Sequence, residues 1–435
     1  MRKRDSATDD RTKIDASTGE APDGKGFDRR TLLRAGALAA GMAGMGAGIA
    51  RAAETVGADA PDWMKTPGRS FSAYGMPSKW QEKVQRTIAF PPGRPGTGTS
   101  RTPLHLLEGT ITPNGLHFER HHNGVPDIDP SRHELVIHGL VKRPLAFSVE
   151  TLMRYPMESQ IRFVECSGNS GSFNQPEPQQ ATAGGLNGLL SCSEWTGVRL
   201  ATLLEEAEPN REAKWVIAEG ADAAAMSRSV PLEKCLDDAM IALYQNGEAI
   251  RPEQGYPMRL LLPGFEGNMN VKWVHRLNVM NQPVDARDET SHYTELMPNG
   301  KARQYMFLQG VKSAIIKPSL GMTMKGPGFY EISGLAWSGS GRVSKVEVST
   351  DGGKSWTAAA LTAPVLSKAL TRFRLPWQWN GQPSILMSRA VDEKGEAQPT
   401  RAAWVSQYAP IQFYHFNGIQ GWRIEADGTV KHVYV

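Results

Sequence analysis

Apolar residues alternate with polar ones in many short stretches of this chain and follow a helical spacing in only a few. Residues 134–141 (ELVIHGLV) read as a strand ending in a turn, and residues 215–218 (WVIA) and 259–262 (RLLL) read as buried strands. Residues 148–153 begin as a helix capped by Ser148, and residues 198–207 place Val198, Leu200, Ala201, Leu203, Leu204 and Ala207 at helical spacing. The mixture predicts an α+β domain rather than regular βαβ alternation. From about residue 305 the helical period vanishes. Strands are expected at 332–337, 343–349 and 356–361, with a hairpin through Asp351, Gly352 and Gly353. That pattern predicts an immunoglobulin-like β-sandwich, and because it holds neither cysteine nor clustered catalytic residues, its expected work is assembly.

The remaining composition divides the chain further. Residues 1–52 hold a polar leader, the pair Arg29-Arg30, a weakly hydrophobic Ala/Gly/Met run and an Ala-x-Ala site, which together predict a twin-arginine export signal and a periplasmic protein. That route carries folded proteins, so it favours a buried cofactor. Residues 53–104 are rich in Pro, Gly, Ser and Thr and predict an extended surface arm with little chemistry. The catalytic domain is then expected over 105–304 and the sandwich over 305–435. A formal net charge of +4, with scattered basic residues, argues against a nucleic-acid partner. No membrane span is expected in the mature protein.

Three cysteines occur, and one stands out. Cys166 follows an apolar approach, Phe163-Val164-Glu165, and opens a loop of very small residues, Ser167-Gly168-Asn169-Ser170-Gly171-Ser172. A thiolate is a soft donor for a transition metal, and small residues let backbone N–H groups approach an anionic ligand. Cys192 and Cys235 remain either a disulfide or two buried thiols. No C-x-x-C-H motif is present, so no c-type haem is expected in the chain itself. Arg120, His121 and His122 form a cationic cluster before a Gly-Val-Pro turn, suited to an oxyanion. Residues 254–273 run from a turn through a buried strand into a glycine loop ending at Lys272-Trp273, with glycines at both bends and cations at both ends as a phosphate cradle needs. Walker and Rossmann glycine patterns are absent.

These motifs occur in a telling order: Phe118-x-Arg120-x-His122, Cys166-x-Gly168-Asn169, Glu219-Gly220-x-Asp222, Gly255-Tyr256-Pro257-x-Arg259, Pro263-Gly264-x-x-Gly267-x-x-x-Val271-Lys272-Trp273, then Trp337-Ser338-Gly339-x-Gly341 and Ser349-x-Asp351-Gly352-Gly353-x-x-Trp356. Over residues 105–435 the chain resembles the sulfite oxidase family of molybdenum enzymes. The resemblance implies a molybdopterin-binding domain of the sulfite oxidase fold followed by an Ig-like dimerisation domain. It implies that Cys166 ligates molybdenum, and that Phe118, Arg120, His122, Asp222, Gln254, Arg259, Asn270, Val271 and Lys272 bind the molybdopterin. Arg120 would also attract the substrate anion. An active-site tyrosine falls at Tyr293 or Tyr305, or is absent.

Departures from the family pattern bear on the substrate. Ser170 and Gly171 stand where relatives carry two arginines, Met269 or a neighbour replaces a third, and the segment after Gly185-Leu186 lacks the relatives' tryptophan. The expected pocket is less cationic and more open. It resembles the sulfane dehydrogenase branch, which implies oxidation of sulfane sulfur on a carrier protein, with electrons passed to a c-type cytochrome subunit and a homodimer formed through the C-terminal domain. The alternatives are a sulfite dehydrogenase and, further off, a sulfoxide reductase or a non-catalytic subunit.

Overall fold

The computed structural model describes residues 61–408, 410 and 413–435. The export leader lies outside the described residues. Two compact units divide the chain, one ending at Met76 and one running from Pro77 to Val435. The described part of the first contains a single 3-10 turn, Asp62–Met64.

The second unit is built mostly of sheets. A small antiparallel sheet joins Thr87–Ala89, Gly98–Arg101 and Glu119–His121. A larger one runs Glu248–Ala249, Met240–Gln245, Leu190–Arg199, Glu158–Glu165, with Arg259–Leu261 also pairing on Met240–Gln245. A third has the order Leu145–Ser148, Glu134–Gly139, Val274–Met280, Trp215–Gly220, Ser227–Pro231, in which only Glu134–Gly139 and Val274–Met280 are parallel. Four- and five-stranded antiparallel sheets make up the C-terminal part, with Lys312–Lys317 and Gly328–Trp337 in one and Val343–Ser349 and Ser384–Asp392 in the other.

Several local expectations shift. Val198 and Arg199 belong to a strand, in register with Ile241 and Met240, and the helix begins only at Leu200. Ladder hydrogen bonds and burial override the helical spacing there. The strand expected to reach residue 141 stops at Gly139, whose φ of +95° turns the chain out of the sheet. The strand expected at 356–361 divides: Thr357–Ala358 pairs in one sheet of the sandwich and Ala360–Leu361 in the other. One short helix, Arg401–Gln407, interrupts the C-terminal strands, capped by Thr400. All three cysteines are free thiols, with Cys192 and Cys235 buried.

Glu158–Glu165 links the two halves of this unit. Its successive side chains face opposite sides. Phe163 joins a core shared with C-terminal residues such as Ile332, Trp337 and Phe373, whereas Val164 joins a core with Phe118, Trp195 and Leu261. A strand buried on both faces is necessarily apolar, which explains the run leading into Cys166.

Candidate active site

The loop after Glu158–Glu165 is held by its own backbone and by three neighbours. Cys166 donates its N–H to the Leu189 carbonyl at 3.0 Å, and Asn169 donates its N–H to the Cys166 carbonyl at 2.8 Å. The Asn169 amide is used at both ends: Nδ2 donates to Glu165 Oε1 at 2.9 Å, and Oδ1 accepts from Leu189 N–H at 3.0 Å. Ser170 adopts a left-handed φ of +63°, held by its hydroxyl hydrogen bond to Asn187 Oδ1 at 2.6 Å. Gly267 allows the second glycine loop to press against the first. A Cβ there would lie 2.8 Å from the Glu165 carbonyl oxygen and 3.1 Å from Cys166 Cα.

Cys166 faces a cavity lined by every residue the family resemblance assigns to the cofactor: Phe118, Arg120, His122, Asp222, Gln254, Arg259, Asn270, Val271 and Lys272. They come from four separate parts of the chain. Their individual duties differ. Gln254 Nε2 donates to the Phe118 carbonyl at 2.9 Å, and the Asn270 side chain braces its own turn, accepting from Leu262 N–H at 2.7 Å and donating to Glu266 O at 3.1 Å. Asp222 Oδ1 accepts a long hydrogen bond from Met226 N–H.

Arg259 and Lys272 are the electrostatic centre. Arg259 donates to the carbonyls of Gln254 and Asn270 at 3.2 and 3.0 Å and lies 4.9 Å from the Trp195 ring, and its Nε has no partner. Burial lowers its pKa to about 9. Lys272 Nζ donates to the carbonyls of Arg120 and Glu253 and contacts His121 Nδ1 at 2.9 Å. Burial, then repulsion from Arg259, lowers its pKa to about 7. Among the described residues no carboxylate lies within ion-pair distance of either cation. His117 adds a buried imidazole, pushed down to about 3 by burial, with an unpartnered Nε2. Two desolvated cations and unused N–H groups make a site for a multiply charged anion.

An outer cavity of about 410 Å³ shares Cys166, Arg120, His122 and Tyr293 with the inner one. Its far walls include Phe90, Arg101, Phe413 and Tyr414. Tyr293 is buried, its ring 4.9 Å from the Arg228 guanidinium and its hydroxyl 3.4 Å from His122 Nε2. Tyr305 instead stacks on Phe307, packs at a tilt against Trp215 and lines neither cavity. Sequence reasoning missed Arg101, His117 and Tyr414. Arg101 corrects two expectations. The segment assigned to a bland arm supplies a cavity cation, and the chamber beside Cys166 regains charge that Ser170 and Gly171 do not provide. Nothing in the sequence around Arg101 signals it, since Gly98-Thr99-Ser100-Arg101 carries no apolar alternation within a Pro/Gly-rich stretch.

Comparison with known proteins gives the class. Residues 122–287 match the model of the oxidoreductase molybdopterin binding domain, and residues 303–420 match the Mo-co oxidoreductase dimerisation domain. The chain belongs to the sulfite oxidase family of molybdopterin oxidoreductases. Mitochondrial sulfite oxidase of Drosophila melanogaster is 31% identical over 81% of this chain and 65% of its own length, and that of Homo sapiens is 29% identical over 69% and 59%. An inducible NADH nitrate reductase of Glycine max is 29% identical over 76% of this chain and 42% of its own. The chain thus spans less than two thirds of these relatives. A chain of the sulfane dehydrogenase SoxCD from Paracoccus pantotrophus is 44% identical, with a TM-score of 0.84, over 87% of this chain and 98% of that one.

The residues fit a molybdopterin group. Arg259 and Lys272 suit its phosphate, and the Cys166 thiol suits a soft metal. Among the described residues no three His, Cys, Asp or Glu side chains cluster as a metal site, so a metal at Cys166 brings its other ligands with it. A dithiolene-bearing cofactor does that.

Proposed function

We propose that this chain is the molybdenum subunit of a sulfane dehydrogenase, oxidising sulfane sulfur held on a carrier protein and passing the electrons to a c-type cytochrome subunit. The observation that carries this reading is the outer cavity of about 410 Å³ beside Cys166, floored by Gly168 and walled by Phe90, Phe413 and Tyr414. That space exceeds what a free sulfite ion needs and suits a sulfur group at the end of a neutral arm. The 44% identity to a SoxCD chain supports it. We further propose export by the twin-arginine signal of residues 1–52, a periplasmic location, and a homodimer formed through the C-terminal sandwich. Among the described residues no helix is long and apolar enough to cross a membrane.

When bound, the cofactor supplies two-electron oxygen-atom transfer with oxygen from water. The protein's own residues do the rest. Arg259 and Lys272 hold the phosphate end, and the Asn270 turn keeps the second loop closed over it. Cys166 presents its thiol from a loop that Asn169 ties to Glu165 on one side and to Leu189 of a neighbouring segment on the other. Arg120 draws a substrate anion to the thiol side of the cavity. Burial, then the charge of Arg120, pushes the His122 pKa down to about 4, so His122 is neutral near pH 7 and Nε2 can accept from the Tyr293 hydroxyl. That contact aims Tyr293 at the shared part of the two cavities.

A sulfite dehydrogenase is the second reading, and Arg101 favours it, since two arginines around one cavity also suit a small oxyanion. Reduction of cytochrome c by the purified holoenzyme separates the two. Carrier-bound persulfide is expected to be turned over and free sulfite only slowly; the reverse order would overturn the sulfane assignment.

A further inference from the structure

Arg101 ends the strand Gly98–Arg101, with Thr87 opposite it on one neighbouring strand. On the other, Thr99 is opposite Arg120. Residues two apart on a strand share a face, as do residues directly opposite. Ala89, Thr99, Arg101 and Arg120 therefore project from one face of this small sheet, and all four line the outer cavity. Arg120 has a partner, its guanidinium donating to the His121 carbonyl. Arg101 has none: among the described residues its guanidinium makes no hydrogen bond and no ion pair. Burial holds it below the ordinary arginine range. A structural arginine is satisfied by carbonyls or a carboxylate, as Arg372 is by the carbonyls of Gly109 and Leu107. Arg101 is partly buried, has no partner among the described residues and lines the reaction chamber.

We propose that Arg101 is a substrate-binding residue, which with Arg120 grips the anionic sulfur group, terminal sulfane or sulfonate, that enters the outer cavity. The exposed rings of Phe90 and Phe413, 74% and 51% accessible, continue the cavity outward as an apolar lip for whatever neutral arm carries that group. The inference rests on the sulfur-oxidation reading for its substrate. It rests on the unpaired cation alone for its anion.

Two arms of one experiment keep these apart, both on the molybdenum-loaded protein. Sulfate, an unreactive tetrahedral dianion, is titrated into wild type, Arg101→Gln and Arg101→Lys by calorimetry, with no turnover involved. Steady-state KM and kcat are then measured with carrier-bound persulfide and with free sulfite. Loss of one charge-assisted contact predicts that Arg101→Gln weakens sulfate binding and raises KM by about tenfold or more, with molybdenum content unchanged and kcat within about threefold. Arg101→Lys recovers part of both, which a loss of folding would not. A KM rise for both substrates places the grip on the sulfur anion itself; a rise for free sulfite alone, or sulfate affinity and KM within twofold of wild type in Arg101→Gln, overturns the proposal. Should no sulfur compound be oxidised, the sulfate arm still decides the role of Arg101.

Discussion

Lys312 Nζ lies 3.1 Å from Glu165 Oε1, joining the first strand of the C-terminal sheets to the residue that precedes Cys166. The two side chains are 1% and 3% exposed. The same ammonium donates to Ser170 Oγ at 2.9 Å, and the Trp337 indole N–H donates to Glu165 Oε2 at 2.6 Å. Both flanks of the cysteine loop are thus fastened from the C-terminal sheets, within the part of the chain that matches the dimerisation-domain model. Removing one partner of a buried pair leaves an uncompensated charge, at a cost of about 3–5 kcal/mol. Lys312→Met is therefore expected to lower stability by that order in urea unfolding, and adding Glu165→Gln to recover part of it. A single variant costing less than about 1 kcal/mol would mean that the pair does not hold the loop.

Arg259 makes a prediction of a different kind, because its partners in the protein are two carbonyls and a ring. A fork with a spare Nε beside Lys272 is set for an anion the chain does not supply. Arg259→Gln is expected to be purified with molybdenum and pterin content lowered about tenfold or more, while circular dichroism shows the native sheet content. Full cofactor content with a disrupted fold would reverse the assignment, making Arg259 structural.

How legible the site was differs from residue to residue. Cys166 is legible through its order with Arg120, Asp222, Arg259 and Lys272 rather than through its loop alone, and the glycines at 264 and 267 mark close approaches that an added Cβ would block. Lys312 and Arg101 are opaque. Lysine and arginine are exposed by default, and only the fold shows that one is paired beneath the loop and the other is unpaired in the cavity. Counting forward from Trp273 favours Tyr293, but a gap in the count leaves Tyr305 open. What separates them is Arg228 and His122, which meet Tyr293 from distant segments. The α+β and β-sandwich classes were readable from periodicity, whereas the switch of residues 357–361 between sheets was not, since two-residue strands carry no period.

Phe413 rests on the cysteine loop where glycine leaves room. A Cβ at Gly171 would come within 2.5 Å of its ring, and one at Gly168 within 2.9 Å. The ring is half-exposed and can yield, so Gly171→Ala is expected to cost about 1–3 kcal/mol rather than to prevent folding. In a Phe413→Ala background the same substitution meets no ring. A double-mutant cycle in denaturant should therefore give a coupling of about 1 kcal/mol or more, and additivity within about 0.3 kcal/mol would show that the contact is not maintained in solution.

His415 carries the pH dependence. It sits at φ +58° beside the wall residues Phe413 and Tyr414, donates its backbone N–H to the Ser167 carbonyl at 2.8 Å, and is clamped by the Trp404 indole on its own carbonyl at 3.0 Å. Its Nε2 lies 3.1 Å from Glu266 Oε2 and 3.8 Å from Glu295 Oε1. Burial alone would lower its pKa, but the hydrogen bond and charge of Glu266, with Glu295 behind it, outweigh burial and raise it above the ordinary histidine value. A folded pKa above the unfolded one means that the folded chain binds the extra proton more tightly, so this stabilisation is complete below about pH 6.5 and disappears as pH rises through the folded value. The melting temperature of His415→Gln should thus fall furthest below wild type in mildly acidic buffer, with the gap narrowing steadily toward alkaline pH. A gap that stays constant from acid to alkali would mean that His415 acts through its backbone geometry and not through its charge.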